Sequence, residues 1–112
     1  MYCDHIDGST TFIAQLSVMV INREIHSSSM KFLIDEDRYF FTKVSPVYRI
    51  DACLIALTVM SYMLSRRTDI LLMMESMLEI NAQFFMDENL DGLIRVRLAL
   101  FLGYYCDNLF KS

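Results

Sequence analysis

The segment from Asn89 to Cys106 constrains the fold most, because it joins an acidic turn to a long apolar pattern. On a helix of about 3.6 residues per turn, its apolar residues fall along one stripe. The stripe consists of Ile94, Leu98, Phe101, Leu102 and Tyr105. Ala99 lies about one turn after Arg95, and we expect this small residue to be buried where a neighbouring helix approaches closely. The pattern predicts a helix that packs against other helices.

The composition favours long helices with a large apolar core. Hydrophobic residues make up 54% of the 112 residues and the mean hydropathy is +0.34, whereas soluble domains use roughly 45–50% apolar residues. Only three glycines and one proline are present, so few positions interrupt a helix. The longest uncharged runs, Gly8 to Asn22 and Ala52 to Ser65, are shorter than the roughly 18–20 residues that a spanning helix needs. We therefore expect no membrane span.

Charge and cysteine usage argue against several classes of function. The net charge is −4, and the basic residues form no stripe of the kind that binds nucleic acid. Cys3, Cys53 and Cys106 are far apart in the sequence and lack the paired spacing of a zinc site. We expect these thiols to be reduced and buried, as in a protein of the cytoplasm or nucleus.

The first half of the chain predicts two helices of unequal clarity. Gly8-Ser9-Thr10 is expected to cap a first helix that ends near Asn22. Glu24 to Phe41 is expected to form a second helix, because apolar residues still recur at helical spacing despite a serine run.

The second half carries sharper boundary signals. Lys43 to Pro46 predicts a turn, with Ser45 as N-cap and Pro46 as the first helical residue. Thr68 is expected to cap the next helix. The other predicted boundaries are a helix end at Arg66-Arg67 and the acidic turn Asp87 to Gly92, which follows the helix over 70–86.

Helices joined by short turns predict an all-α fold of antiparallel helical hairpins of HEAT type, stacked as a short α-solenoid. One repeat region is expected over residues 1–112, with hairpins at 9–42, 46–86 and 93–110. Residues 46–64 should pair with 70–86, and 70–86 with 93–110. Such an array points to a binding scaffold, and its uncapped ends predict self-association.

The acidic turn resembles part of a calcium-binding loop, but it lacks the decisive ligand. Asp87, Asn89 and Asp91 match the first oxygen ligands of an EF-hand. Leu98 stands where the bidentate glutamate is needed, and Arg95 places a cation beside the site. We therefore expect no calcium site, and expect Asn89 or Asp91 to cap the following helix instead.

No catalytic, cofactor or metal site is expected. His5 and His26 have no ligand partners at metal-binding spacing, and no nucleophile motif or phosphate-binding loop is present. The methionines Met73, Met74 and Met77 are expected to belong to the core rather than to a binding groove. Arg95 and Arg97 are the candidate partner-binding residues, with ion pairing inside the array as the alternative role for both.

Two segments resemble a known family. Arg49-Ile50-Asp51-Ala52-Cys53-Leu54 opens a helix, and Met73-Met74-Glu75-Ser76-Met77-Leu78 precedes Ile94-Arg95-Val96-Arg97-Leu98-Ala99, which runs on to Phe110-Lys111. These segments are similar to repeats of the importin-β (karyopherin) family, most of all to the branch of importins seven and eight and the CAS exportin. The sharp part of the resemblance covers residues 49–54 and 73–112.

The resemblance implies a function in nucleocytoplasmic transport. It would make the chain a protein-binding scaffold of a nuclear transport receptor, with cargo proteins and the Ran GTPase as partners. The protein would shuttle between cytoplasm and nucleus. No contact with Ran is carried over to a numbered residue, because the family's Ran-binding repeats are chiefly N-terminal.

A different class of function fits the same composition. A compact helical-bundle regulator of the Bcl-2 type would bind an amphipathic partner helix in a groove. That fold needs a central buried helix within one closed globule, and Ala52 to Leu64 is apolar enough to supply it.

Overall fold

The structure is a computed structural model that describes residues 2–27 and 40–111, with side chains over 8–27 and 46–111. The described residues form helices and turns and contain no strand, so the predicted all-α class is confirmed for them. The helices are α1 (Tyr2–Ser27), α2 (Phe40–Val59), α3 (Ser61–Leu64), α4 (Thr68–Ile80), α5 (Ala82–Phe85) and α6 (Gly92–Tyr105).

Helix α1 is longer than the sequence predicts. Gly8-Ser9-Thr10 lies inside the helix rather than capping it, and the helix continues past Asn22 to Ser27. A glycine in a helix costs about 1 kcal/mol relative to alanine, and burial of the residues after it outweighs that cost. The buried residues of α1 are Thr10, Ala14, Ser17, Val18, Ile21, Glu24 and Ile25. Most of the predicted second helix, Glu24 to Phe41, lies outside the described residues.

The turn predicted at Lys43 to Pro46 is wrong. Helix α2 already begins at Phe40, and Pro46 lies inside it. An internal proline removes one helical hydrogen bond, but its fixed φ is compatible with the helix. Pro46 and Val47 are both buried, so packing against the core accounts for a helix that the local signals would have started later.

Two short interruptions divide the remaining helices. Met60 separates α2 from α3, although the Met60 amide still donates to the Ala56 carbonyl at 3.1 Å. Asn81 separates α4 from α5 and is buried, with its side-chain amide donating to the Met77 carbonyl at 2.8 Å. Thr68 is the first residue of α4 and not its cap, since the preceding residue Arg67 takes the cap position without a side-chain hydrogen bond. The predicted Thr68 cap is therefore wrong.

Helices α1 and α2 pack in antiparallel orientation. The start of α1 lies near the end of the α2–α3 segment, where the Thr10 hydroxyl donates to the Met63 sulfur at 3.6 Å. The end of α1 lies near the first half of α2, where Arg49 donates to Glu24 at 3.2 Å. The two helices therefore form an antiparallel pair, with extensive contact between them.

The other two extensive pairings are parallel. Along α1 and α4, Arg67 donates to Thr11 at 2.6 Å and Asn81 donates to Asn22 at 2.7 Å, so both helices advance in the same direction. Along α2 and α6, the same order holds for two contacts. These are Arg97 to Asp51 at 2.8 Å and the Tyr105 hydroxyl to the Leu57 carbonyl at 2.5 Å.

These pairings correct the predicted ones. Contacts of residues 46–64 with 70–86, and of 70–86 with 93–110, are not among the extensive ones. Instead, α4 packs on α1 and α6 packs on α2, so each packs on a helix that is not its neighbour in the sequence. The grouping into hairpins at 9–42, 46–86 and 93–110 stays a prediction.

The apolar stripe predicted on α6 is correct except at Leu102, since Leu98 also packs against the core. Ile94, Phe101 and Tyr105 are fully buried, whereas Leu102 is 40% exposed and Ala99 is exposed. The residues that touch α2 lie on the side of Arg97 and Tyr105, which turns Ala99 away from it. The predicted burial of Ala99 is therefore wrong. In α4, Met74 and Met77 are fully buried and Met73 packs against the core, as predicted.

Candidate interaction surface

The acidic turn before α6 is organised by its own backbone. Asp91 is the N-cap of α6, and its carboxylate accepts a hydrogen bond from the Leu93 amide at 2.9 Å. Asp87 accepts from the Asn89 amide at 2.8 Å. The prediction that Asp91 caps the helix is confirmed, and the negative carboxylate lies at the positive end of the helix dipole.

Calcium is expected to leave the stability of the chain unchanged. A ligand that binds only the folded state must stabilise it, and the carboxylates of Asp87 and Asp91 already accept backbone hydrogen bonds. Thermal unfolding with millimolar calcium should match unfolding with magnesium or with chelator. A rise of several degrees that is specific for calcium, and is lost in Asp87→Asn, would contradict this expectation.

Arg95 lies at the first turn of α6 and reaches back over the acidic turn. Its guanidinium donates to the carbonyl of Glu88 at 2.7 Å and to the carbonyl of Leu90 at 3.2 Å. The partners of Arg95 are thus carbonyls rather than the carboxylate of an ion pair inside the array, and Asp51 on α2 pairs with Arg97. The guanidinium donates to carbonyl oxygens because the backbone of the acidic turn lies within its reach.

Replacing Arg95 with methionine is expected to cost only about 0.5–1.5 kcal/mol of unfolding free energy. The side chain is exposed, and hydrogen bonds that compete with water contribute about this much. Chemical denaturation measures the change, with Arg95→Lys as a control that keeps the charge and loses the forked geometry. A cost above about 3 kcal/mol would show that Arg95 holds a buried carboxylate after all.

Arg97 forms a partly buried ion pair between α6 and α2. Its Nε lies 2.8 Å from Asp51, and the exposed fractions of the two side chains are 29% and 13%. Because the partners are 46 residues apart in the sequence, no local pattern could have found this pair. Arg97 is therefore already engaged within the chain, while its role toward a partner stays a prediction.

Glu24 is a second charged residue that sequence reasoning missed. Its side chain is only 7% exposed and lies 3.2 Å from Arg49 and 3.5 Å from Arg23. An acidic residue on the apolar side of a helix is the signal that could have found it, since buried carboxylates are normally paired. This cluster joins α1 to α2 at the end opposite to Met63.

The described residues form an open cleft between α3 and the end of α6. It is lined by Ser61, Tyr62, Ser65, Arg66 and Tyr104 and measures about 660 Å³. Tyr62 is 91% exposed and Tyr104 is 63% exposed. Sequence reasoning did not bring these residues together, because they lie on different helices. We call this group the Tyr–Arg cleft.

The two cysteines whose side chains the structure describes differ in accessibility. Burial, together with the nearby Glu24 carboxylate, raises the pKa of the Cys53 thiol, whereas Cys106 is exposed. The predicted burial is therefore wrong for Cys106, and Cys3 lies outside the residues with described side chains.

Cys106 is expected to react with iodoacetamide well before Cys53 at mildly alkaline pH. A raised pKa lowers the thiolate fraction at a given pH, and the thiolate is the reacting form. Peptide mass spectrometry after timed alkylation of the folded chain measures both rates, with the unfolded chain as control. Equal rates in the folded chain would contradict the packing described for Cys53.

The described residues contain no metal-binding cluster of His, Cys, Asp or Glu. None of the described helices is both long enough and apolar enough to cross a membrane. Comparison of the chain with family models, with curated proteins and with solved structures finds no match.

Proposed function

We propose that this chain is a protein-binding segment of a nuclear transport receptor of the importin-β type, in which consecutive helical hairpins stack as HEAT-like repeats. Its role would be to bind cargo proteins and the Ran GTPase as a scaffold, without catalysis. The observation that carries this proposal is the register of the helices, an antiparallel pair α1–α2 onto which α4 and α6 pack in parallel.

That register is the one expected for stacked hairpins. In an up-and-down bundle each helix packs chiefly on its sequence neighbours in antiparallel orientation, whereas in an α-solenoid equivalent helices of successive hairpins pack side by side. The contacts from Thr11 to Arg67 and from Asn22 to Asn81 have this second pattern, as do those of α2 with α6. We infer that α4 and α6 are the counterparts of α1 and α2 in the following repeat, each stacked on its equivalent helix rather than on the other.

The segments that resemble the transport receptors meet in space. Asp51 belongs to the first of them and Arg97 to the second, and these two residues form the 2.8 Å ion pair between α2 and α6. This ion pair holds α6 in register against α2. The resemblance and the register thus support the same reading of the chain.

Exposed apolar side chains support a role in protein binding. On α1, Phe12, Ile13, Leu16 and Met19 are 64%, 44%, 46% and 62% exposed. On α6, Val96 and Leu100 are 60% and 46% exposed. Contiguous exposed apolar surface marks interaction sites in soluble proteins, and it accords with the self-association that the sequence predicts.

The Bcl-2-like alternative receives no comparable support. It requires a central helix that is buried on all sides, and α2 keeps an exposed side. Tyr48 is 59% exposed and Val59 is 72% exposed. Residues 52–64 are also interrupted at Met60 rather than forming one continuous buried helix.

Direct binding of purified Ran tests the proposal. The chain would be immobilised through its C-terminus and exposed to Ran loaded with a non-hydrolysable GTP analogue or with GDP. We expect binding that depends on the GTP state. Equal binding of both nucleotide states, or none at high micromolar Ran, would contradict the assignment of Ran as a partner.

A further inference from the structure

We propose that the Tyr–Arg cleft binds an acidic peptide segment of a partner protein, with a peptide carboxylate held by the Arg66 guanidinium between the rings of Tyr62 and Tyr104. This inference rests on the proposed protein-binding function and assigns a place and a partner chemistry to it. It concerns one end of the α2–α6 pair and does not involve Arg95 or Arg97.

The cleft has the size and the framing of a recognition site. Its volume of about 660 Å³ falls within the roughly 300–1,000 Å³ of pockets that bind ligands. One wall belongs to the segment from Ser61 to Arg66 and the other to the last turn of α6. The Asn108 side chain donates to the Ser65 carbonyl at 3.1 Å, which ties the two walls together.

Electrostatics favour a carboxylate in this cleft. Arg66 is exposed and makes no ion pair within the described parts of the chain, whereas the adjacent Arg67 bonds to Asp69 and Thr11. None of the lining residues is acidic, so Arg66 supplies the only formal charge of the lining. A guanidinium presents a planar fork of donors that matches the two oxygens of a carboxylate.

The flanking tyrosines favour a peptide over a small inorganic anion. Tyr62 and Tyr104 expose large ring surfaces that an ion would leave uncovered but that a chain segment would bury. Tyrosine and arginine are enriched among the residues that dominate protein–protein binding energy. Nucleic acid is disfavoured, because its affinity arises from several phosphate contacts and the lining supplies a single arginine.

Fluorescence anisotropy with defined peptides tests the assignment. The probe is a fluorescein-labelled Gly/Ser peptide that carries spaced glutamates, and its control has glutamine at the same positions. We expect the glutamate peptide to bind, and Arg66→Gln to weaken its binding about tenfold, as for one lost charge-assisted pair. Arg66→Lys should fall between the two, because it keeps the charge without the fork.

A matched control separates the cleft from general charge effects. Arg23→Gln removes the same charge near the far end of α1, where Arg23 is exposed, and should change the affinity by less than about twofold. Circular dichroism of both variants checks that they fold. Tyr62→Ala should also weaken peptide binding. If charge attraction alone held the peptide, this uncharged substitution would leave the affinity unchanged.

Three outcomes would overturn the inference. The first is absence of binding at millimolar peptide, and the second is equal loss in Arg66→Gln and Arg23→Gln. The third is tighter Arg66-dependent binding of inorganic phosphate or of single-stranded RNA than of the peptide. Ran binding measured on Arg66→Gln keeps the two proposals apart. If the unmodified chain binds the peptide but not Ran, the cleft proposal stands and the transport function is rejected. If it binds Ran but not the peptide, the transport function stands and the cleft proposal is rejected.

Discussion

Replacing Tyr105 with alanine is expected to lower the free energy of unfolding by about 3–5 kcal/mol, as for other buried aromatic residues. Tyr105 is fully buried on α6, stacks near Phe101 with ring centroids 4.9 Å apart, and donates its hydroxyl to the Leu57 carbonyl. Leu57 belongs to the last turn of α2, where carbonyls lack helical donors. The side chain thus fills the core and also satisfies the end of a neighbouring helix.

Tyr105→Phe isolates the hydroxyl from the ring. It retains the packing and removes the donor, so we expect a loss of about 1–3 kcal/mol from the Leu57 carbonyl left without this partner. Urea denaturation of the three proteins measures both steps. A phenylalanine variant as stable as the unmodified chain, or an alanine variant that loses less than about 1 kcal/mol, would contradict the placement of α6 on α2.

The unmodified chain and Tyr105→Phe are also expected to differ in how their stability depends on pH. Burial raises the pKa of the Tyr105 hydroxyl above its ordinary value of 10.0. Above that pH the unfolded chain loses this proton while the folded chain keeps it, so unfolding releases a proton and stability falls as pH rises. The stability advantage over Tyr105→Phe should therefore be constant below about pH 9 and shrink above about pH 10. A stability advantage that grows with pH would contradict the burial of the Tyr105 hydroxyl and its raised pKa.

The ion pair between Arg97 and Asp51 should give the second large effect. Arg97→Met leaves the Asp51 carboxylate, whose side chain is 13% exposed, without its counter-charge. Removing one partner of a fully buried pair costs about 3–5 kcal/mol, and partial exposure of this pair reduces the expected loss to about 2–3 kcal/mol. Thermal or urea unfolding measures it.

A double-mutant cycle separates the pair from its surroundings. Asp51→Asn combined with Arg97→Met should lose less than the sum of the single changes, with a coupling of about 1–3 kcal/mol. Arg95→Met removes an equal charge from the same helix and serves as the control, with a small effect and no coupling to Asp51→Asn. Strict additivity for Arg97, or coupling of Arg95 in its place, would contradict the register of α6 on α2.

Local signals in the sequence predicted what depends on one helix at a time. The acidic cap at Asp91, the buried methionines of α4 and the buried Ile94 and Phe101 all follow from spacing and side-chain chemistry within about two turns. These predictions are correct because the tertiary contacts bury the same residues that the helical spacing places on the apolar side. The all-α class follows from the same periodicity.

The features that the sequence did not predict are those that depend on the pairing of helices. Pro46 and Gly8 are local stop signals, but both lie within helices. Pro46 is itself buried, and α1 buries residues from Thr10 onward, after Gly8. Ala99 was expected to face a neighbour, but the side of α6 that meets α2 is fixed by Arg97 and Tyr105, whose partners are distant in the sequence. The Tyr–Arg cleft is likewise a product of tertiary contact and has no local sequence signature. The Glu24 cluster has one local sign, an acidic residue on the apolar side of a helix, but its partner Arg49 lies on another helix.

Chemical cross-linking tests most directly whether α2 and α6 stack in parallel, on which the repeat interpretation depends. With the native cysteines replaced by serine, Tyr62→Cys with Tyr104→Cys places two thiols across the Tyr–Arg cleft. In the control, Tyr48→Cys replaces Tyr62→Cys and moves one thiol roughly 20 Å along the α2–α3 segment. With a bifunctional maleimide shorter than that distance, the stacked hairpins predict efficient intramolecular linkage of 62 with 104 and little of 48 with 104. Efficient linkage of 48 with 104, and none of 62 with 104, would show antiparallel packing and contradict the account.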